Sequence, residues 1–375
     1  MSRDLVLGLL PSIRGGLGEL AKTGQHSRLI DGYLRPYAEA FREVRYFSYL
    51  RESLDRYTSD AAVLERVRLF SGGALHPWLY SLVMPLRYRR ELSGCSVLRV
   101  FQITGVIPAL AAKRLYGVPF VTTYGFWYSK LPRSRATGWL RRVVERVGLA
   151  AADGVIVTTP ELGRHVAGRV GSDKVHLIPN GVDTRLFRPS LRPAGGPKTV
   201  LYVGRLSEEK NLSLLVEAAA KLAGRVSLRL VFIGGGSLRS ALETRARELR
   251  VPAEFIPLVN HRELPGYFGR ADAFVLPSFT EGHPKVLLEA MSCGVACVAS
   301  DVEGNRAVLS DAETGLLFDP RDPGALADRL ERVFTDADLA RGMGERARAR
   351  IVESYDLGVL IGGEIELLSR VARGA

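Results

Sequence analysis

Two α/β domains, each built on a parallel sheet and facing one another across a cleft, are what the sequence predicts, and three observations predict it. At 375 residues the chain exceeds the size, about 250–300 residues, at which a single hydrophobic core usually stops growing. From residue 198 onward, short apolar runs alternate with amphipathic segments of helical period, the pattern of βαβ units closing a parallel sheet. Between the halves, residues 188–198 (RPSLRPAGGPK) are rich in Pro and Gly without periodicity and read as a linker. The expected organisation is therefore a domain over 1–190, a second over 191–354, and a helical segment over 355–375 crossing back onto the first.

In the second half, KTVLYVG reads as a buried strand, NLSLLVEAAAKLAG as a helix, LRLVFIG as a strand and SLRSALETRARELR as a helix. DAFVLP follows as a strand, PKVLLEAMSCG as a helix and ACVAS as a strand. The first half alternates less cleanly, with DLVLGLLP, VRYFSY, SVLRVFQI, PFVTTYG and GVIVTTP as strand-like runs. In the tail, Gly362 and Gly363 weaken an otherwise patchy helical pattern. Ligands of such sheets belong at the carboxyl ends of the strands.

Composition narrows the class. With 46% hydrophobic and 25% charged residues the chain is an ordinary globular one, and no apolar run approaches the ~18 residues of a membrane span. The apolar start has Asp4 beside Arg3 and no small-residue cleavage site, which favours a first buried strand over a secretion leader. Cys95, Cys293 and Cys297 have neither disulfide-framework nor zinc spacing, and core thiols in a reducing cytoplasm fit. The net charge of +12 is unevenly spread: residues 1–190 carry 28 Lys+Arg against 15 Asp+Glu, the remainder 24 against 25. Within the basic half, KLPRSRATGWLRRVVERV places Lys130, Arg133, Arg135, Arg141, Arg142 and Arg146 among Leu, Val and Trp. Two readings stand: an anionic membrane surface or a solvated helix face.

Several constellations bear on chemistry. In LYVGRLSEEKNL a strand ends at Gly204, and Arg205 and Lys210 precede a helix that Asn211 or Ser213 would cap. Cations at a strand end beside a helix N-terminus suit a diphosphate; the plainer reading pairs them with Glu208 and Glu209 on the surface. In FTEGHPKVLLEAMSCG, Pro284 separates a loop carrying Glu281 and His283 from a helix that begins near Lys285, Val286 and Leu287 and carries Glu289 a turn later. Glu281 either caps the free first-turn amides or lies near a ligand. Glu289 is either an ordinary surface glutamate or an acceptor for a vicinal diol such as ribose. Gly16, Gly18 and Ala21 match a dinucleotide fingerprint, but the acid after the next strand, Glu52, comes more than 30 residues later rather than about 20, so a glycine loop admitting a phosphate or sugar is preferred. The D-x-D at Asp336 and Asp338 reads as a capped helix start, which leaves a carboxylate-held metal without support.

Taken together, HLIPNGVDTRLFRP, LYVGRLSEEKNL, LVFIGGGSLR, FVLPSFTEGHPKVLLEAMSCGVACVASDVEGNRAVL and ETGLLFDPRDPGAL resemble, in order and spacing, the retaining GT-B glycosyltransferases of family 4 (glycosyl transferases group 1). The resemblance implies two Rossmann-like domains, a nucleotide-diphosphate sugar held mainly by the second and an acceptor by the first. It implies that Arg205 and Lys210 neutralise the diphosphate, that Glu289 holds the ribose, and that Glu281, first of the E-x7-E pair, lies by the transferred sugar. The stretch of His283, Pro284, Lys285, Val286 and Leu287 would line the donor, its residues other than proline offering backbone amides, and Gly16 would lie in the donor-side glycine loop. Attack on the face the diphosphate leaves would require no carboxylate nucleophile and no metal cofactor. The sequence departs from the family at Tyr124, on the acceptor side, where many members have histidine, at Pro284 in place of glycine, and at Ala307 in place of a glutamate after Gly-Asn.

The expected function is transfer of a hexose from a UDP- or GDP-sugar to a glycan or lipid-linked acceptor in cell-surface polysaccharide or glycolipid synthesis, by a cytoplasmic protein docking on the inner membrane face. Alternatives are a non-catalytic sugar-nucleotide-binding subunit and an NAD(P)-dependent oxidoreductase. Nucleic-acid binding lacks a recognisable module.

Overall fold

The strands assemble into two all-parallel sheets in a computed structural model that describes residues 3–126, 135–190 and 195–374, with the backbone alone at 135–138 and 140. The first sheet comprises β1 (Val6–Leu10), β2 (Glu43–Phe47), β3 (Val67–Phe70), β4 (Val97–Val100), β5 (Phe120–Tyr124), β6 (Gly154–Val157) and β7 (Val175–Leu177), in the order β3-β2-β1-β4-β5-β6-β7. The second comprises β8 (Lys198–Val203), β9 (Leu228–Ile233), β10 (Ala253–Ile256), β11 (Ala273–Leu276), β12 (Cys297–Ser300) and β13 (Leu316–Phe318), in the order β10-β9-β8-β11-β12-β13. Every neighbouring pair is parallel. Helices cover the sheets, so central strands such as β1, β4, β6 and β11 are buried along their whole length, as parallel sheets require.

The chain divides into two units, residues 1–179 with 358–375, and residues 180–357. The sequence boundary at 190 moves back because residues 180–190 are tied into the second unit. Val182 bridges to Asp356, the Ser292 hydroxyl donates to the Phe187 carbonyl at 2.6 Å, and Arg348 donates to the carbonyls of Thr184 and Phe187. Of the linker, residues 191–194 lie outside the described residues.

The C-terminal tail is one helix, Leu357–Ala372, rather than patches. Its two glycines cost helix propensity, about 1 kcal/mol each, but Glu364 anchors it in the first unit. The Arg99 Nε lies 2.5 Å from Glu364 Oε1, and the Tyr37 hydroxyl donates to the same oxygen. Burial opposes the charge on Arg99, yet Glu364 and Tyr37 hold its guanidinium protonated well above the ordinary arginine range. Asp336 caps the helix Ala337–Ser354 through the Leu339 amide at 2.9 Å, so the D-x-D is a helix start. The three cysteines are buried and free, and burial pushes the Cys95 and Cys293 thiols up to about 12. Among the described residues no helix is long and apolar enough to cross a membrane.

Removing one partner of a buried ion pair leaves a bare charge at a cost of about 3–5 kcal/mol. Glu364→Ala is therefore expected to lower the stability of the first unit by about that much in urea-induced unfolding, and a loss under about 1 kcal/mol would show that the pair is not what holds the tail.

Candidate functional site

In the second sheet the connections leave β8 and β11 in opposite directions, so their carboxyl ends form the switch point where α/β sheets open a crevice. The loop after β8 enters a 3₁₀ turn, Glu208–Lys210, ahead of the helix Leu212–Lys221. The loop after β11 carries Ser278 and Glu281 to the helix Lys285–Ser292. Strand adjacency thus brings together residues 71 positions apart: Lys210 Nζ lies 2.6 Å from Glu281 Oε1. The Ser278 hydroxyl donates to the same oxygen at 2.7 Å. Both side chains of the ion pair are largely shielded, at 17% and 12% exposure.

Glycine makes the loop geometry possible. Gly234 and Gly236 have φ of 135° and 159°, and a Cβ on either would lie 2.0 Å from the Gly204 carbonyl or 2.2 Å from the Leu206 carbonyl. The FIGGG turn therefore lies backbone to backbone against the loop that holds Lys210. A Cβ on Gly304 would likewise lie 2.4 Å from the Glu281 carbonyl. Next to it, Asn305 donates to the Ser300 carbonyl at 2.8 Å, and the Ser300 hydroxyl donates to the Ser278 carbonyl at 2.6 Å. Three buried polar residues thereby hold the Glu281 loop from behind.

The remaining candidates divide. Arg205 is mostly exposed and lies 3.2 Å from Glu209, the surface pairing that was the plainer reading, whereas Lys210 is not so paired. Glu281 does not cap the following helix, which has no side-chain cap. Nor does Asn211 cap its own helix: its amide donates to the carbonyls of Pro277 and Pro320 and ties the β8 loop to its neighbours. Pro284 sits at the N-cap of Lys285–Ser292. Leu287 is fully buried and Val286 packs against the core, so these side chains are structural, and only backbone amides, with the Lys285 side chain, remain to offer a ligand. The first-turn amides of a helix lack intrahelical partners and favour anions.

Glu289 is not a surface glutamate. It is 3% exposed, and its Oε1 lies 2.9 Å from His261 Nε2, whose ring lies against Phe187 at 5.0 Å. His283 is buried, with its ring 5.5 Å from that of Tyr355 and its carbonyl accepting from Asn180 at 2.8 Å. Burial pushes the His283 imidazole down to about 4, and Lys285 adds to the effect. Sequence reasoning missed His261, Ser278, Ser300 and Asn305. Asn305 stood inside a quoted motif, and His261 carried no signal.

In the first unit, Tyr124, expected on the acceptor side, is wholly buried. Its hydroxyl donates to Glu145 at 3.2 Å, and its ring stacks near His165 at 6.1 Å, so its position on β5 turns it into the core. Gly16 is buried in a loop whose following amides, of Leu17 and Gly18, donate to the Glu52 carboxylate at 3.0 and 2.8 Å. That carboxylate occupies the place a dinucleotide phosphate would need. Among the basic residues, Lys130 and Arg133 lie outside the described residues, and the helix Arg135–Ala151 exposes Arg141, Arg142 and Arg146.

A separate cavity of about 1010 Å3 in the second unit is lined by Asp301, Asp311, Asp319 and Asp328 with Arg321 and Arg329. Its carboxylates outnumber its cations, so it does not suit a diphosphate. Among the described residues, no group of three or more His, Cys, Asp or Glu side chains is gathered that could hold a metal ion.

Comparison with known proteins places these motifs. Residues 183–350 match the family model of glycosyl transferases group 1, and residues 28–186 that of Glycosyltransferase Family 4. The D-inositol 3-phosphate glycosyltransferase of Paenarthrobacter aurescens (strain TC1) is 30% identical over 286 residues, covering 68% of this chain and 67% of that protein. Matches to further curated relatives span 60–64% of their length. Sucrose-phosphate synthase from Thermosynechococcus elongatus superposes with a TM-score of 0.82 at 22% identity over 100% of both chains. HepE of Anabaena in complex with UDP-glucose gives 0.78 at 17% identity over 97% of this chain and 99% of that one. These likenesses are of fold, the GT-B arrangement of two parallel-sheet α/β domains.

The His283 ring gives the second unit a pH signature. Because its pKa of about 4 lies below the ordinary 6.5, the unfolded chain takes the proton first. This contribution to stability is full above pH 6.5, falls as the pH drops toward 4, and levels off below. The loss is about 3 kcal/mol at most. His283→Gln is expected to show a shallower decline than the parent in urea unfolding across that window, and parallel curves would count against a buried neutral imidazole.

Proposed function

Because the chain belongs to the group 1, family 4 glycosyltransferases, we propose that it transfers a hexose with retention from a UDP- or GDP-sugar to a glycan or lipid-linked acceptor. The observation that carries this reading is the Lys210–Glu281 pair at the β8/β11 switch point, beside the N-terminus of Lys285–Ser292. A diphosphate leaving group there meets the Lys210 ammonium and first-turn amides that need no reorganisation, and such fixed dipoles stabilise developing charge. Arg205 supplies a second cation on a side chain exposed enough to turn toward a ligand. Glu281 has an oxygen engaged by Lys210 and Ser278, which suits positioning of the transferred sugar better than nucleophilic attack. Retention then follows from attack on the face the diphosphate leaves, with its own oxygen taking the acceptor proton. Glu289, oriented by His261, is the ribose ligand in this reading. No metal is required, since lysine and backbone amides supply the positive charge. That the similar fold of HepE is a complex with UDP-glucose supports the donor class.

The setting is a membrane face in the cell's interior, serving glycolipid or surface polysaccharide assembly. Along the helix Arg135–Ala151, Trp139, Val143 and Val147 recur every fourth residue and are exposed beside Arg141, Arg142 and Arg146. Along Pro77–Arg87, Leu79, Leu82 and Leu86 form a second exposed apolar stripe, followed by Arg87, Arg89 and Arg90. Apolar stripes flanked by arginines fit an anionic bilayer surface.

Lys210→Ala and Glu281→Ala are each expected to lower sugar transfer at least about tenfold, since charge-assisted contacts contribute about 1.5–3 kcal/mol. A thermal-shift panel of UDP, GDP, ADP and their sugars identifies the donor for the assay. Unchanged transfer by both variants would sink the site, and tight nucleotide binding without turnover on any acceptor would favour a non-catalytic subunit. Transfer is expected to persist in EDTA. Co-sedimentation is expected with anionic and not with neutral vesicles, and equal binding to both would remove the electrostatic docking.

A further inference from the structure

The first sheet has its own switch point, between β1 and β4, and the loops leaving those strands enclose a cavity of about 430 Å3. The loops lock together through backbone: a Cβ on Gly105 would lie 2.1 Å from the Pro11 carbonyl, and the Gly15 amide closes a turn onto the Ser12 carbonyl at 2.7 Å. Within that turn Arg14 has φ 68°, a left-handed conformation that residues other than glycine rarely adopt. Glycine occupies the next two positions, yet the strained position itself carries an arginine. Backbone outliers of this kind concentrate where a side chain must be aimed.

The cavity wall combines Arg14 and Arg141 with Trp78 and the polar residues Ser12, Gln102 and Thr104. Neither arginine has a carboxylate partner among the described residues. The one carboxylate in the wall, Glu145, is already engaged, by Arg169 at 2.9 Å and the Tyr124 hydroxyl at 3.2 Å. Two guanidiniums without a carboxylate partner beside an indole are suited to a doubly charged phosphoryl group attached to a sugar, because guanidinium forks match phosphate oxygens and an aromatic side chain offers the sugar a large apolar surface.

We propose that this cavity binds a phosphorylated sugar, its phosphoryl group held by Arg14 and Arg141 and its ring lying against Trp78, and that this compound is the acceptor. The inference rests on the glycosyl-transfer reading for the word acceptor only; the binding itself stands apart from it. The shared chemistry, a phosphate on a sugar, is met either by a soluble sugar phosphate or by a sugar joined to a lipid through a diphosphate.

Calorimetric titration of the full chain with glucose, with glucose 6-phosphate and with N-acetylglucosaminyl diphosphate on a short water-soluble prenyl chain tests the proposal. At least one phosphorylated probe is expected to bind tenfold or more tighter than glucose. That advantage should survive in Lys210→Ala and Arg146→Gln, and fall below threefold in Arg14→Gly and Arg141→Gln. Arg14→Gly suits the left-handed backbone and Arg141 is exposed, so both variants should fold. Preference for the prenyl compound assigns the phosphate to a lipid carrier, and preference for glucose 6-phosphate to a soluble acceptor. No binding by either phosphorylated probe, equal binding of glucose, or an advantage that survives both arginine variants would overturn the proposal, as would its loss in Lys210→Ala. Absence of turnover with every nucleotide sugar would strike the transfer reading alone.

Discussion

The ion pair between Lys210 and Glu281 is the constraint on which the second unit's site depends. It joins the loops after β8 and β11, adjacent strands at the one place in the sheet where the winding reverses. Desolvating two charges offsets most of their attraction, so such a pair adds little net stability. Its effect is on geometry. With Ser278 on the same carboxylate oxygen and Ser300 and Asn305 behind it, the Glu281 loop has few conformations left, and the start of Lys285–Ser292 is fixed with it. The glycines at 204, 234 and 236 let neighbouring turns close over the lysine side without a Cβ in the way.

The two sheets use the same topological position in opposite electrostatic ways. At β8/β11 the lysine already has a carboxylate beside it, a poised pair that an incoming anion must divide. At β1/β4, Arg14 and Arg141 face a cavity whose carboxylate is spoken for by Arg169. The charge surplus of the N-terminal half is thus more than a diffuse field: part of it borders one cavity, and part flanks two apolar helix stripes. Long-range attraction and local recognition then draw on the same arginines.

The interior of both sheets was legible in the sequence because central parallel strands are buried on both faces and read as unbroken apolar runs. The strands that escaped, β3, β7, β10 and β13, are the four sheet edges. β3, β7 and β10 are partly exposed, which interrupts their apolar pattern, and β13 is mostly buried but only three residues long, too short to stand out as a strand. At the site, motif spacing singled out Lys210, Glu281 and Glu289, but neither that the first two pair nor that Ser278 and His261 join them. Spacing along the chain says nothing about which face of a helix turns inward, so it left Glu289 open between a surface glutamate and a diol acceptor and gave no hint of His261, which it meets. Tyr124 failed for the same reason, since the alternation along β5 points it into the core. The strain at Arg14 is a backbone property, and no residue type announces it.

The Arg99–Glu364 pair has a consequence for how the chain comes off the ribosome. Its members are 265 residues apart, and the whole of the second unit is synthesised between them. At about 5–20 residues per second, Arg99 waits roughly 10 to 50 s for its carboxylate. During that interval the second unit, one continuous stretch, can close, while the earlier-made sheet holds an uncompensated cation. The part of the protein that is translated first is therefore the part that finishes folding last, and until it does, its exposed interior is the surface on which chaperones would act.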